Sequence, residues 1–198
     1  MDKTTKTILI VIGSLAVLCA CTFAALLGTG AWSFTKLVQF ADQNTTEDPQ
    51  KVAQIASGIA EFDLPEGFNT QYGMRIATFS MVQYTTGREG TYIFLTQFPA
   101  GTSIDADEMM RQISENSRNP NSPWYNTDTT LIEKKPVTIR GEQTTLSISE
   151  GKTKEGVPYR LANATFRGKG EGPVLFMIVS PAGEWDNQLV EDFIASIR

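Results

Sequence analysis

The chain has no histidine, and this absence excludes more than any motif present. Without imidazole there is no Ser-His-Asp or Cys-His machinery, no histidine metal ligand and no side chain that ordinarily titrates near neutrality. Cysteine is nearly as scarce. Cys19 and Cys21 are the two the chain has, and nothing after them carries a thiol. That removes thiolate catalysis, the usual structural zinc and disulfide staples from the bulk of the protein. Basic charge is in deficit too: 17 Lys and Arg against 22 Asp and Glu give a formal charge of −5. Setting aside residues 1–34, with Asp2, Lys3 and Lys6, leaves the remainder near −6. Phosphate backbones and anionic headgroups repel a surface of that sign, so nucleic-acid binding is disfavoured.

Charge is missing altogether from Ile8 to Trp32. A bilayer core is spanned by about 20 apolar residues in a helix, and this run is long enough to cross with some tilt. Lys3 and Lys6 precede it, and Lys36, then Asp42, Glu47 and Asp48 follow, so the positive-inside rule puts the amino terminus in the cytoplasm. The expected localisation is a cell membrane, single-pass, with the carboxy-terminal domain extracytoplasmic. Two alternatives give the same outward delivery. Leu18-Cys19-Ala20-Cys21 resembles a lipobox that would lipidate Cys21, and Thr29-Gly30-Ala31 offers small residues to a signal peptidase. The expected organisation is an anchor over 1–34, a polar linker over 35–48 and one extracytoplasmic domain over 49–198.

Within that domain Asp48-Pro49 is a helix start, an acidic N-cap followed by proline at the first helical position. Val52, Ile55, Ala56, Ile59 and Phe62 then recur at helical spacing. Leu64-Pro65-Glu66-Gly67-Phe68 ends the helix. Met74–Tyr84 and Thr91–Phe98 read as two strands joined by a glycine turn. Asp105–Ser117 reads as a second helix, with Asp105 and Glu108 as a capping box. Four strands follow over 131–140, 142–150, 157–166 and 174–180, and a third helix spans Asn187–Ile197. Short turns argue for antiparallel pairing. The predicted class is α+β, an antiparallel sheet of about six strands with helices on both faces, following one amino-terminal transmembrane helix.

The Leu64–Phe68 turn leading into a strand, the long meander and the closing helix ending Phe193-Ile194-Ala195-Ser196-Ile197 resemble PsbP-like domains. They also resemble bacterial proteins with one amino-terminal membrane helix. The resemblance covers about 130 residues. It implies an assembly or accessory module of a membrane complex, and no enzyme. The metal-associated histidines of some members have no counterpart here, so no metal role carries over.

The remaining constellations favour ordinary readings. Asp105, Asp107 and Glu108 suit a helix amino terminus better than calcium, because Met109 and Met110 stand where an EF-hand loop would continue. Glu61, Asp63 and Glu66 offer the carboxylates a glycosidase needs, but such acids are ordinary at a helix end. Gly151-Lys152-Thr153 lacks the earlier glycine of a phosphate loop, since Leu146 occupies that position. Gly168–Gly172 reads as a hairpin turn. Ser147 and Lys152 lack the context of a Ser/Lys hydrolase. Met74, Met81, Met109 and Met110 either line an adaptable pocket or fill core gaps. Asn44-Thr45-Thr46 and Asn163-Ala164-Thr165 match the glycosylation pattern, the second within a strand.

Aromatics on loops anchor partner surfaces, which makes Trp124 and Tyr125 the first candidate contacts and Trp185 the next. No catalytic, cofactor-binding or metal residues are expected. The predicted function is a non-enzymatic, membrane-anchored module that binds a protein partner or helps assemble a membrane complex. The alternatives are a domain enclosing a small apolar ligand in a cavity lined by methionines and aromatics, and a hydrolase with two carboxylates.

Overall fold

The computed structural model describes residues 44–87, 90–105, 108–109, 129–153 and 156–198. The apolar run Ile8–Trp32, and most of the helix expected over Asp105–Ser117, lie outside these. Among the described residues no helix is long and apolar enough to cross a membrane.

Strands come first in this fold, and the expectation of an α+β domain with about six of them is corrected. Among the described residues eight antiparallel strands form one sheet, accompanied by two short, fully described α-helices. In chain order they are β1 (Thr45–Thr46), α1 (Pro49–Ile59), β2 (Asn69–Ile76), β3 (Phe79–Thr85) and β4 (Tyr92–Gln97). Then come β5 (Thr130–Ile139), β6 (Glu142–Lys152), β7 (Pro158–Arg167), β8 (Pro173–Pro181) and α2 (Asn187–Ser196). Two strands escaped the sequence reading for physical reasons. Met74–Tyr84 is not one strand, because the chain reverses at Ala77, which takes φ 51° with no glycine or proline to mark the turn. β1 is two polar threonines whose place is set by pairing with Gly73 and Met74, not by hydrophobic pattern.

The spatial order is β1-β2-β3-β4-β8-β7-β6-β5. Two four-stranded meanders thus join through β4 and β8, with Leu95 opposite Phe176 and Phe94 opposite Met177. Tyr92–Gln97 and Pro173–Pro181 are apolar on both faces because Ile93, Leu95, Phe176 and Ile178 enter the helix-side core while Phe94, Met177 and Val179 pack together on the far side.

The helices begin where their caps predict. The Asp48 side chain accepts the Gln50 N–H at 2.9 Å, and the Asp186 side chain accepts those of Gln188 and Leu189. Such caps contribute about 1 kcal/mol each. Asp105 likewise accepts the Glu108 N–H at 3.0 Å. α1 and α2 pack on the same face of the sheet. Val52, Ile55 and Ile59 of α1 and Val190, Phe193 and Ile194 of α2 share a core with Val82, Ile93, Leu95, Leu146, Ala164 and Phe176. Gly73 lets α1 lie close on β2, since a Cβ there would stand 3.0 Å from a Val52 methyl and 3.1 Å from Ile55. Phe176 and Phe193 stack at 5.5 Å between ring centres, pinning α2 to the middle strand.

The opposite face carries two smaller apolar clusters. Tyr72, Met74 and Met81 form one, and Tyr159, Leu161, Met177 and Val179 the other. At the outer edge, β5 is defended against pairing. Pro136 removes an N–H, and an irregularity between Leu131 and Glu133 bends the strand.

Candidate functional site

Three regions decide what this molecule is equipped to do: the acidic turn after α1, one end of the sheet, and a groove beside α1.

The acidic turn holds Glu61, Asp63 and Glu66, the carboxylates weighed for hydrolysis. Glu61 pairs with Lys169 at 2.6 Å, and Asp63 takes the Arg198 guanidinium at 2.9 and 3.2 Å. The hydrogen bond and the positive charge from Lys169 hold the Glu61 carboxyl below its ordinary range. A general acid needs the reverse, a carboxyl pushed upward by burial or by a like charge. Glu66 stands exposed in the Gly67 turn. The structure therefore brings Glu61 and Asp63 together as surface ion pairs that clamp the chain. Main-chain bonds reinforce this clamp: Glu61 N–H donates to Arg198 O at 3.0 Å, Arg198 N–H to Glu61 O at 2.7 Å and Lys169 N–H to Ile59 O at 2.8 Å.

Other constellations separate in space. Ser147 and Lys152 lie five residues apart on β6, so they point to opposite faces about 16 Å apart. Gly151 lies beneath the Tyr159 ring, where a Cβ would meet ring atoms at 2.6 Å. Gly168–Gly172 is the hairpin turn expected, closed by Gly168 N–H to Gly172 O at 2.9 Å. Asp107 lies outside the described residues, and among those described no group of three metal-ligating side chains exists. Asn163 is 2% exposed on β7, beyond the reach of a glycosylating enzyme.

Trp124 and Tyr125 lie outside the described residues, so of the contact candidates only Trp185 can be placed. It is half-buried against the helix-side core, and its indole N–H donates to Asn187 Oδ1 at 2.8 Å. Near it the sheet ends in a set the sequence reading missed. Leu131 and Val157 are 50% exposed and Ile132 46%. Leu131 and Ile132 begin β5, and Val157 closes the turn between β6 and β7. Tyr159 sits opposite Pro181, which puts the turn carrying Trp185 at this same end. The available signal was the adjacent pair Leu131-Ile132, two large apolar residues that a one-faced edge strand cannot both bury.

The groove beside α1 is lined by Ala53, Ala56, Ser57 and Ala60, by Phe62 and Leu64, and by Tyr84, with Glu61 and Arg198 at its rim. It holds about 380 Å³. Tyr84 rises from β3 to meet the Phe62 ring edge-on at 5.8 Å. Burial pushes its phenol up to about 12. Among the described residues no methionine lines this groove. Met74 and Met81 are fully buried in the far-face cluster, Met109 is half-buried and Met110 lies outside the described residues. A second hollow of about 430 Å³ near the Gly168–Gly172 turn has a polar lining, including Thr102, Glu142, Gln143 and Arg167.

Among solved structures, the chain is similar to the solution structure of cyanobacterial PsbP (CyanoP) from Synechocystis sp. PCC 6803. The identity is 12%, the TM-score 0.42, and the match covers 78% of this chain and 90% of that one. The resemblance to PsbP-like domains is present as a weak one. No family model and no curated protein matches the chain.

Proposed function

We propose that this protein is a membrane-tethered, extracytoplasmic module that holds a protein partner, or helps assemble a membrane complex, and performs no chemistry of its own. The observation that carries the reading is the exposure of Leu131, Ile132 and Val157 at one end of the sheet, the end that also carries the Trp185 turn. Large apolar side chains exposed together mark contact surfaces more often than scattered ones do. Trp185 adds an aromatic anchor of the kind that dominates binding energy. The tether follows from the uncharged run Ile8–Trp32 and its lysine flank. In keeping with a binding role, Glu61 and Asp63 are spent on ion pairs.

The test is site-specific photo-crosslinking in intact cells. A benzophenone amino acid at Ile132 or Val157 is expected to give a discrete adduct, while the same probe at Lys51 on α1 gives none. Uniform labelling at all three positions, or none at Ile132 and Val157, overturns the reading. Protease added to intact cells stripped of any outer barrier should digest the domain if it faces outward.

A further inference from the structure

We propose that the groove beside α1 is a binding site for an uncharged small molecule with an apolar body and one hydrogen-bond acceptor, such as a ketone, ester or amide carbonyl. The inference is independent of the partner reading, which rests on other residues, those of β5 and the turn between β6 and β7.

Volume is the first argument. About 380 Å³ falls at the lower end of the range of small-molecule sites, roughly 300–1,000 Å³. The space exists because one flank of α1 carries only small side chains. Ala53 and Ser57, and Ala56 and Ala60, are each four residues apart, so all four line the same flank of the helix. Phe62 and Leu64 supply the apolar wall opposite.

Charge is the second. The acids and cations at the rim neutralise one another, with Glu61 on Lys169 and Asp63 on Arg198. The groove therefore offers a charged ligand no unpaired counter-ion, and a neutral ligand meets no uncompensated field.

The third argument selects the acceptor. Tyr84 is 4% exposed and forms part of the groove, and its hydroxyl makes no hydrogen bond among the described residues. A phenol is protonated at neutral pH and donates one hydrogen bond. The hydroxyl itself is not sealed from solvent, so it is open to a ligand that enters the groove. The edge-on Phe62 ring holds the phenol in place, so the donor is fixed before any ligand arrives. A carbonyl oxygen on an otherwise apolar molecule satisfies it and leaves nothing else in the groove to satisfy.

The experiment uses the full chain in lipid nanodiscs with its five tyrosines replaced by 3-fluorotyrosine. The probes are acetophenone, its isosteric hydrocarbon cumene, and benzoate. Free probe is measured by equilibrium dialysis against empty nanodiscs. The fluorine signal absent from Tyr84→Phe identifies Tyr84. Acetophenone is expected to shift that signal saturably, with cumene about fivefold weaker, the worth of one hydrogen bond. Benzoate should bind more weakly than acetophenone. In Tyr84→Phe the preference for acetophenone over cumene should vanish. Ser57→Trp should abolish binding while the other fluorine signals stay in place. The proposal is overturned by the absence of a saturable shift, by equal binding of acetophenone and cumene to the unaltered chain, or by undiminished binding to a folded Ser57→Trp.

Discussion

Glu61 and Arg198 exchange both of their main-chain hydrogen bonds, at 3.0 and 2.7 Å, across nearly the whole length of the domain. Their side chains then turn to other partners, Glu61 to Lys169 and Arg198 to Asp63. The junction after α1 and the segment after α2 are therefore joined as a short ladder, flanked by buried Ile197. The backbone pairing and the apolar anchor should matter more than the charges. Ile197→Ala is expected to cost about 2–4 kcal/mol, because it leaves a cavity in the shared core. Arg198→Ala should cost less than about 1 kcal/mol, since its ion pair is exposed and its main chain is kept. Urea denaturation of the two variants checks the ranking, and an Arg198→Ala loss equal to that of Ile197→Ala would refute it.

Glu61 should give a small acid sensitivity. Its carboxyl is held below the ordinary value by Lys169, so the pair's contribution is present above that value and fades as pH falls through the lowered one. Glu61→Gln removes the titrating group. The variant should lose stability less steeply than the unaltered chain between about pH 5 and pH 3, and the difference should shrink in high salt. Denaturation midpoints across that range are the measurement.

Tyr84 predicts the opposite flank of the pH profile. Burial raises its phenol from 10.0 to about 12, so the folded state binds that proton more tightly than the unfolded one. Its contribution is complete below pH 10 and is lost as pH rises through 12, by at most about 2–3 kcal/mol. Tyr84→Phe should hold its stability better over this interval, and phenolate absorbance should show one late-ionising tyrosine fewer. An unchanged alkaline profile would contradict the burial argument.

Asn163 stands between Met177 and Ser147 in the register of the far face, 2% exposed, and its carbonyl oxygen has no hydrogen-bond partner. An unsatisfied buried amide is a liability that a hydrocarbon of similar size lacks. Asn163→Leu is expected to raise stability by about 1 kcal/mol, read as a higher melting temperature. A clear loss instead would mean that the amide is satisfied by something bound at that face.

Much of the local structure was legible from the residues. The Asp48-Pro49 start, the Asp105 cap, the Gly168–Gly172 turn and the four strands from β5 to β8 all depend on neighbours a few positions away. The strand count was not. Ala77 turns the chain without a turn-forming residue, and β1 exists only because Gly73 and Met74 lie beside it. The candidate sites were less legible still. Leu131, Ile132 and Val157 read as strand residues, and nothing in their spacing said that the sheet would end there.

By itself, the sequence determined what this protein lacks, where its helices begin and which residues seek a core. Composition is settled before folding, and caps and periodicity act within a turn or two of chain. Tertiary structure alone decided that β4 meets β8, that α1 and α2 share one face, that Glu61 pairs with Lys169, and that Tyr84 lies in a groove without a hydrogen bond. Those relationships join residues tens to more than a hundred positions apart. Their energies come from burial and contact in three dimensions, which no local pattern encodes.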